Sequence, residues 1–161
     1  MRVSALLRTP VATCAPTDNL ASIGCQMWTH DCGLIPMVDA DGKAVGVITD
    51  RDICIALSTR GKTASQILAA EVAGKDVFSV RPEDDIEDAL NLMADRQIRR
   101  VTVTNAQGKL VGILSLNDVA LAAESAGKRR GVEVSYDQVG ETLKAICRRG
   151  AQKEKEEPVT V

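Results

Sequence analysis

An internal duplication constrains the fold more than any other feature of this chain. Residues 9 to 57 align without a gap with residues 75 to 123, at an offset of 66 positions. Identical residues recur at this offset: Pro16 with Pro82, Met27 with Met93, Gly46 with Gly112, and Asp52 with Asp118. Repeats of about 60 residues lie near the lower size limit for independent stability. The two repeats are therefore predicted to pack on each other and share an interface.

Each repeat predicts the element order β-α-β-β-α. This gives a mixed α/β (α+β) fold in which the two repeats form a pseudo-two-fold pair. A short strand ("VATC", "VFSV") leads to Pro and an acidic or polar helix cap. Apolar residues spaced i, i+3, i+4, i+7 then predict a helix with one buried face. These residues are Leu20, Ile23, Gly24 and Met27 in the first repeat, and Ile86, Ala89, Leu90 and Met93 in the second.

A hairpin is predicted next in each repeat. The strands "LIPMV" and "AVGVI" flank "DADGK", and "RVTVT" and "LVGIL" flank "NAQGK". The Asx residue of each turn supplies local hydrogen bonds, and the Gly supplies the positive φ of a tight turn. A second helix follows, from about Asp50 to Leu57 and from about Leu116 to Glu124.

Composition narrows the classes of partner. The formal net charge is −2, and the chain has only one Trp, one Tyr and one Phe, so neither nucleic acid nor a membrane is expected as the main partner. The short basic clusters at Lys128 to Arg130 and at Arg148 and Arg149 are interpreted as solvated charges. No apolar run approaches the roughly 18 residues of a membrane helix, and a cytoplasmic location is expected.

The five cysteines are odd in number and irregularly spaced. They are interpreted as reduced packing residues rather than a disulfide framework. Cys25, His30 and Cys32 lack a fourth ligand at a suitable spacing. No metal site is therefore expected, and His30 is interpreted as a helix-end residue.

The segments "GVITDRDI" and "GILSLNDV" place Thr49 or Ser115 at a strand end, three residues before Asp52 or Asp118. One interpretation is structural: a hydroxyl at the N-cap with an acid at N3 resembles a capping box, although Asp reaches back less well than Glu or Gln. The other is functional. A carboxylate in the first turn can accept hydrogen bonds from ribose hydroxyls, and the helix N-terminus offers free N–H groups to a phosphate.

The duplicated segments resemble a tandem pair of CBS domains, a Bateman module. "GKAVGVITDRDI" and "GKLVGILSLNDV" follow the family pattern, as do "PTDNLASIGCQM" and "PEDDIEDALNLM", over about residues 1 to 124. The resemblance implies adenosine-containing ligands (AMP, ADP or ATP, or NAD or S-adenosylmethionine) in clefts between the repeats. It also implies a disc-like homodimer.

The resemblance assigns roles residue by residue. Asp52 and Asp118 would hold ribose hydroxyls, Thr49 and Ser115 would lie near ribose or phosphate, and Val47 and Ile113 would line the adenine or ribose wall. Each cleft would borrow from the opposite repeat: Ala12, Cys32 and Gly33 toward Asp118, and Val77, Phe78, Ile98 and Arg99 toward Asp52. Arg99 and Arg100 begin the second hairpin, where either could supply a further arginine to the phosphate end of the Asp52 cleft or be a surface charge. Arg51 could contact a phosphate, whereas its repeat partner is Asn117. The Asp52 cleft is thus predicted to have the stronger phosphate end.

These features predict a regulatory, ligand-sensing module without catalytic residues that transmits occupancy to a protein partner the sequence does not name. A ligand-free dimerisation module is the alternative. The predicted organisation is a first CBS domain at 1–64, a second at 65–125, and an extension at 126–161. Val139, Leu143, Ile146 and Cys147 predict a short helix in the extension, ending near Gly150. The final dozen residues are expected to be disordered, and the module is expected to stand alone.

Overall fold

The computed structural model describes residues 1–123 and 134–148. The first repeat contains α1 (Leu20–Thr29), β1 (Leu34–Val38), β2 (Ala44–Thr49) and α2 (Asp50–Thr59), and a short α3 (Ala69–Val72) follows it. The second contains β3 (Ser79–Val80), α4 (Ile86–Arg96), β4 (Arg100–Thr104), β5 (Leu110–Ser115) and α5 (Leu116–Ala122). The last described helix is α6 (Tyr136–Cys147). The mixed α/β fold and the C-terminal helix predicted from the sequence are confirmed.

The hairpins form as the turn residues predict. Gly42 and Gly108 adopt φ of 79° and 77°. Asp39 Oδ1 accepts the Lys43 N–H at 2.9 Å, and Asn105 Oδ1 accepts the Lys109 N–H at 3.0 Å. Strands β1 and β2 pair antiparallel, and β3, β4 and β5 form a second sheet in that order.

The strands predicted at 11–14 and 77–80 are too long. The first is reduced to a single parallel bridge between Cys14 and Met37, and the second to Ser79–Val80. The chain turns directly after each of them, since the Ala15 N–H donates to Asp18 Oδ2 at 2.8 Å and the Arg81 N–H to Asp84 Oδ2 at 2.7 Å. Only the end of each segment can therefore run beside a hairpin.

The described chain divides into two compact units. Unit 1 comprises the described residues of Met1–Leu7, Val80–Val101 and Leu114–Val161, and unit 2 comprises Arg8–Ser79 and Thr102–Ile113. In unit 2 the core surrounds Leu20, Ile23, Ile35, Ile48 and Ile67. In unit 1 the buried apolar residues include Val3, Ile86, Leu90, Met93 and Val119. The predicted buried faces of α1 and α4 are confirmed, except that Gly24 is half-buried.

The segment before the first repeat pairs with the second repeat, and the segment before the second repeat pairs with the first. The sequence did not predict this exchange. In unit 1 the Ile86 N–H donates to the Met1 carbonyl at 2.9 Å. The equivalent bond in unit 2 joins the Leu20 N–H to the Ile67 carbonyl at 3.0 Å. These bonds tie residues distant in sequence, which explains why the compact units do not follow the repeat boundary.

The hairpin turns of the two repeats meet within unit 2. Lys43 and Lys109, which are equivalent by the repeat, form an antiparallel bridge with each other. The Leu110 N–H also donates to the Gly42 carbonyl at 3.0 Å. Because equivalent residues pair, a local pseudo-two-fold axis passes between these turns.

Helix α6 forms, but its buried face differs from the prediction. Thr142 and Ile146 are buried, whereas Leu143 is 43% exposed and Cys147 is exposed. The Thr142 hydroxyl can be buried because it donates to the Gln138 carbonyl at 2.9 Å. The Lys128–Arg130 cluster, Arg149 and the final dozen residues lie outside the described residues. Within the described ranges, no helix has both the length and the apolar character needed to cross a membrane.

The cysteines are less buried than predicted. Cys14 is buried and Cys32 is half-buried, but Cys25, Cys54 and Cys147 are exposed. Burial, with the nearby Asp18 carboxylate as a smaller cause, raises the pKa of the Cys14 thiol to about 11. His30 is the C-cap residue of α1, as predicted.

Candidate functional site

Both Thr/Ser-x-x-Asp segments lie where a strand gives way to a helix. Thr49 is the N-cap of α2, and its Oγ1 accepts the Asp52 N–H at 3.2 Å. In return, the Thr49 N–H donates to Asp52 Oδ2 at 2.9 Å. Ser115 and Asp118 repeat the arrangement at α5, with corresponding distances of 3.2 and 3.1 Å. Each segment is thus a complete capping box.

Asp52 and Asp118 reach back to their caps in spite of the short side chain, which is expected from the sequence to do so less well than Glu or Gln. The N-cap backbone of Thr49 is extended, with φ −108° and ψ 161°, and this brings its N–H within reach of a short carboxylate in the first turn. The Thr49 hydroxyl also donates to Asp52 Oδ2 at 2.6 Å, and the Ser115 hydroxyl donates to Asp118 Oδ2. Capping alone therefore accounts for the residue types at both segments.

The two carboxylates differ in their access to solvent. Asp52 is half-buried; its Oδ2 accepts the capping bonds, while its Oδ1 accepts no hydrogen bond from any residue that the structure describes. Asp118 is only 9% exposed. A carboxylate oxygen can accept two hydrogen bonds. Asp52 can therefore cap its helix and still accept from a ligand hydroxyl.

The first turn of α2 does not offer the free N–H groups that the sequence predicts. The Asp50 N–H donates to the Gly33 carbonyl at 3.3 Å, and the Arg51 N–H donates to Asp50 Oδ1 at 2.7 Å. The Asp52 N–H is taken by the cap. A phosphate at this end would instead depend on the Arg51 side chain, which is exposed and forms no ion pair with the described residues.

The charge difference between the two first turns is smaller than predicted. Arg51 has Asn117 as its repeat partner, but Asp50 has the uncharged Leu116. The additional arginine of α2 is thus offset by an additional aspartate, and the two turns carry the same formal charge. The two turns differ only in where their charges lie: α2 carries three charged residues, Asp50, Arg51 and Asp52, whereas α5 carries Asp118 alone.

Gly33 lies so close to the Asp50 side chain that any side chain at residue 33 would displace it. A Cβ at residue 33 would lie 2.8 Å from Asp50 Oδ2. The pairing of Leu34 with Thr49 in the hairpin sets this neighbourhood, since it brings the residues just outside the pair together. Sequence reasoning missed Asp50, although counting outward from the turn would have found it.

The predicted wall residues Val47 and Ile113 are half-buried within β2 and β5. Gly74 lies beside Val47, with reciprocal N–H to carbonyl distances of 3.1 and 3.0 Å. Arg8 lies beside Ile113 in the same way, at 2.8 and 3.2 Å. At Val47 and Ile113 the backbone N–H and carbonyl are therefore occupied, and the side chains of these two residues remain for a ligand.

The structure brings residues 33 and 99 beside the capping helices of their own repeats. The Gly33 carbonyl accepts from Asp50, and the Arg99 carbonyl accepts the Leu116 N–H at 2.9 Å. The resemblance assigns both residues to the cleft of the opposite repeat, and that assignment stays a prediction.

The remaining predicted residues lie in loops or at strand ends. Phe78 precedes β3, and its carbonyl accepts the N–H and the hydroxyl of Thr102 at 3.1 and 3.0 Å. Half-buried positions are held by Ala12, Cys32, Val77, Ile98 and Arg100, while Arg99 and Asn117 are exposed. Their contacts with a ligand also stay predictions.

Two non-glycine residues with positive φ precede predicted site residues, and sequence reasoning missed both. Asp31 (φ 47°) and Gln97 (φ 53°) follow the last turns of α1 and α4. The Cys32 N–H then donates to the Met27 carbonyl, and the Ile98 N–H to the Met93 carbonyl, each at 3.0 Å. Such conformations are unfavourable for residues other than glycine. These bonds set the direction in which the chain leaves each helix.

Comparison with known proteins establishes the family. The CBS domain model matches residues 3–59 and 69–125. The chain therefore belongs to the CBS domain family, as a tandem pair. The CBS domain-containing protein YhcV of Bacillus subtilis is 37% identical over 124 residues, covering 75% of this chain and 86% of YhcV. An uncharacterized protein of Methanopyrus kandleri is 30% identical over 117 residues, and the alignment spans 73% of this chain but only 60% of that protein.

Two similar solved structures contain adenosine ligands. The CBS domain protein PAE2072 from Pyrobaculum aerophilum, complexed with AMP, is 26% identical with a TM-score of 0.68, covering 82% of this chain and 95% of that one. The CBS domain pair of protein MJ0100, complexed with 5′-methylthioadenosine and S-adenosyl-L-methionine, is 25% identical with a TM-score of 0.68 and covers 75% and 94%. Pairs of this architecture therefore bind adenosine-containing small molecules.

Proposed function

We propose that this protein is a regulatory module that binds an adenosine-containing small molecule at the Thr49–Asp52 and Ser115–Asp118 segments. The observation that carries the proposal is the geometry of Asp52, whose Oδ2 caps α2 while its Oδ1 accepts no bond from the described residues. The AMP complex of PAE2072 and the 5′-methylthioadenosine and S-adenosylmethionine complexes of MJ0100 support the ligand class.

In this proposal Asp52 accepts a ribose hydroxyl through Oδ1, the carboxylate oxygen that is not used in the cap, and Asp118 is the equivalent ribose-binding residue of the second repeat. Such bonds are charge-assisted, and a hydrogen bond to a charged group contributes about 1.5–3 kcal/mol. Val47 and Ile113 supply apolar contacts to the base or ribose. Thr49 and Ser115 hold the carboxylates in place through their hydroxyls.

We further propose AMP, ADP or ATP as the ligand, with NAD and S-adenosylmethionine as alternatives. The backbone N–H groups of the first α2 turn are already used, so phosphate recognition near Asp52 would rest on the guanidinium of Arg51. Arg99, which the family resemblance assigns to this cleft, and the adjacent Arg100 add positive charge in this proposal.

The regulatory role requires that ligand occupancy change the surface shown to a partner. A ligand shifts such an equilibrium only by its differential affinity for the two arrangements. No chemical step is part of this proposal. A homodimer is proposed as the assembled state, and the regulated partner would be a separate protein.

A ligand-free dimerisation or interaction module is the second candidate. The observation that favours it is the completeness of both capping boxes, which explains the Thr/Ser and Asp residues without any ligand. Trp28, 89% exposed on α1, is also typical of a protein-contact residue.

Thermal unfolding and calorimetric titration with AMP, ADP, ATP, NAD, 5′-methylthioadenosine and S-adenosylmethionine separate the two candidates. A ligand present at 100 times its dissociation constant should stabilise the protein by about 2.7 kcal/mol. The parent should respond to at least one compound, and Asp52→Ala or Asp118→Ala should lose part of the response. No response to any of the six would favour the ligand-free module.

A further inference from the structure

Helix α6 lies outside both matches to the CBS domain model, which end at residue 125. Within unit 1 it packs against α4 and α5, the two helices of the second repeat. Ser135 caps its start, accepting the Gln138 N–H at 3.3 Å. The protein has thus added a helix to the surface of one repeat.

Repeat equivalence explains why α6 packs on the second repeat. On α4 the groove facing α6 includes Leu90 and Ala94, and Leu90 is only 3% exposed. The equivalent residues of α1 are Gly24 and Trp28. A glycine offers no side chain to pack against, and a tryptophan would occupy the space that Ala94 leaves for the backbone of a docked helix. The α6 surface is therefore specific to the second repeat.

The docking of α6 buries few of its own side chains. Its buried residues are Thr142 and Ile146, and only Ile146 is fully apolar. A groove of about 220 Å³ remains between α4 and α6, lined partly by Glu87, Asn91 and Gln138. An isolated helix of fewer than about 12–15 residues is marginal in water, so α6 is expected to fold only when it is docked.

Helix α5 connects this surface to the candidate ligand site. It begins at the Ser115 cap, its third residue is Asp118, and the next residue, Val119, is completely buried. The side chain proposed to hold ribose and the packed interior of unit 1 are thus adjacent on one helix of only seven residues. A ligand that fixes Asp118 also fixes the helix on which α6 packs.

We propose that docking of α6 and occupancy of the Ser115–Asp118 site are thermodynamically coupled, so that α6 is the element that reports this site. The inference rests on the proposed ligand-binding function and adds the regulated element to it. By linkage, any factor by which the ligand strengthens docking is also the factor by which docking strengthens ligand binding.

Hydrogen exchange of the full chain tests the first half of this coupling. The Asp52→Ala variant isolates the second site, and AMP is the probe. Exchange within Tyr136–Cys147 should slow by about fivefold or more at saturation, within the usual range of coupling factors. Unchanged exchange in α6 despite measured AMP binding would overturn the coupling.

The reciprocal test measures AMP affinity in variants of α6, again with Asp52→Ala as the background. Ile146→Ala should weaken AMP binding about fivefold, whereas the matched control Leu143→Ala, at a 43% exposed position of the same helix, should leave it unchanged. Equal affinities for both variants would contradict the coupling.

Two further outcomes separate this inference from the proposed function. If the parent binds none of the adenosine compounds, the proposed function itself fails. If the parent binds AMP but Asp52→Ala does not, ligand binding stands, and the coupling is overturned because the second site is empty.

Discussion

The two Thr/Ser-x-x-Asp segments have the same hydrogen bonds but different surroundings. Both form complete capping boxes. Asp52, however, is half-buried beside the charged Asp50 and Arg51, whereas Asp118 is 9% exposed beside the uncharged Leu116 and Asn117. The hydrogen bonds that the two segments share therefore serve the structural role of the motif, which is to cap a helix. The exposure and charge around each carboxylate are what separate the two candidate sites.

The same contrast extends to the helices and the core. The second repeat carries α6 on its helices, while the equivalent position of the first repeat exposes Trp28 to 89%. In the core, Cys14 occupies the position at which the second repeat has Val80. Equivalent backbone positions have thus acquired different chemistry, and each difference can be tested by exchanging or removing the residue.

The largest expected effect concerns Cys14 at high pH. Its pKa is raised from the ordinary value of 9.0 to about 11, so the folded chain holds this proton more tightly than the unfolded chain. The resulting stability is complete below pH 9 and is lost as the pH rises toward 11, by up to about 2–3 kcal/mol. Cys14→Val, which introduces the residue of the second repeat, should remove this part of the alkaline decline.

The measurement is the free energy of unfolding in urea between pH 8 and pH 11 for the parent and Cys14→Val. All other ionisable groups are common to the two proteins, so the difference between the two curves isolates the thiol. Parallel curves over the whole range would show that the thiol is not responsible.

Removal of the capping carboxylates should affect the two repeats unequally. Asp52→Ala should lower the free energy of unfolding by about 1 kcal/mol, as for loss of a helix cap. Asp118→Ala should cost about 2 kcal/mol, because it leaves the Ser115 hydroxyl and N–H without a charged acceptor in a buried place. Urea unfolding at pH 7 checks both values, and equal costs would mean that burial does not distinguish the two boxes.

A smaller effect on stability is expected at Gly33, whose equivalent in the second repeat is Arg99. Gly33→Ala should cost about 1 kcal/mol, because Asp50 must rotate away and lose its bond to the Arg51 N–H. Arg99→Ala, at an exposed position, should change stability by no more than about 0.5 kcal/mol. If the clash is the cause, Asp50→Ala should add little further loss in the Gly33→Ala background; additive losses in the double-mutant cycle would contradict it.

The smallest effect should be the same in both repeats. Asp31→Gly and Gln97→Gly should each stabilise by about 0.5 kcal/mol, since relief of the positive φ outweighs the greater freedom of glycine in the unfolded chain. Thermal unfolding of the two variants checks this. Destabilisation by either one would show that its side chain makes a contact worth more than the strain.

The repeat allowed the sequence to predict most of the local structure. Gly42 and Gly108 take the predicted positive φ, and the apolar spacing of α1 and α4 gives their buried faces. These features depend on residues close in the chain. Local patterns do not predict that Met1–Leu7 pairs with the second repeat and that the segment near Ile67 pairs with the first. Both pairings depend on backbone hydrogen bonds between residues that are distant in sequence.

The sequence predicted which residues form the two Thr/Ser-x-x-Asp segments, but it predicted the surroundings of these residues only in part. Thr49, Asp52, Ser115 and Asp118 were identified by their spacing. The use of the α2 N–H groups by Asp50 and Gly33 follows from the register of the hairpin, which depends on pairing between two strands and not on the pattern within one. The burial of Thr142 in place of Leu143 on α6 follows from a hydroxyl bonded within its own helix, and apolar periodicity gives no signal for it.

The central claim is that these aspartates both cap a helix and bind a ribose, and the Asp→Asn variants test it most directly. Asparagine keeps one carbonyl oxygen for the capping bond and replaces the second oxygen with an amide. Calorimetric titrations with AMP and with 5′-methylthioadenosine would compare the parent with Asp52→Asn, Asp118→Asn and the double variant.

The free energy of unfolding of Asp52→Asn should lie within about 0.5 kcal/mol of the parent value. Ligand binding at its site should weaken about tenfold or more, a difference of at least about 1.4 kcal/mol. The double variant should lose measurable binding of both compounds. Binding of either compound by the double variant with the affinity of the parent would show that the carboxylates only cap their helices, and would contradict the account.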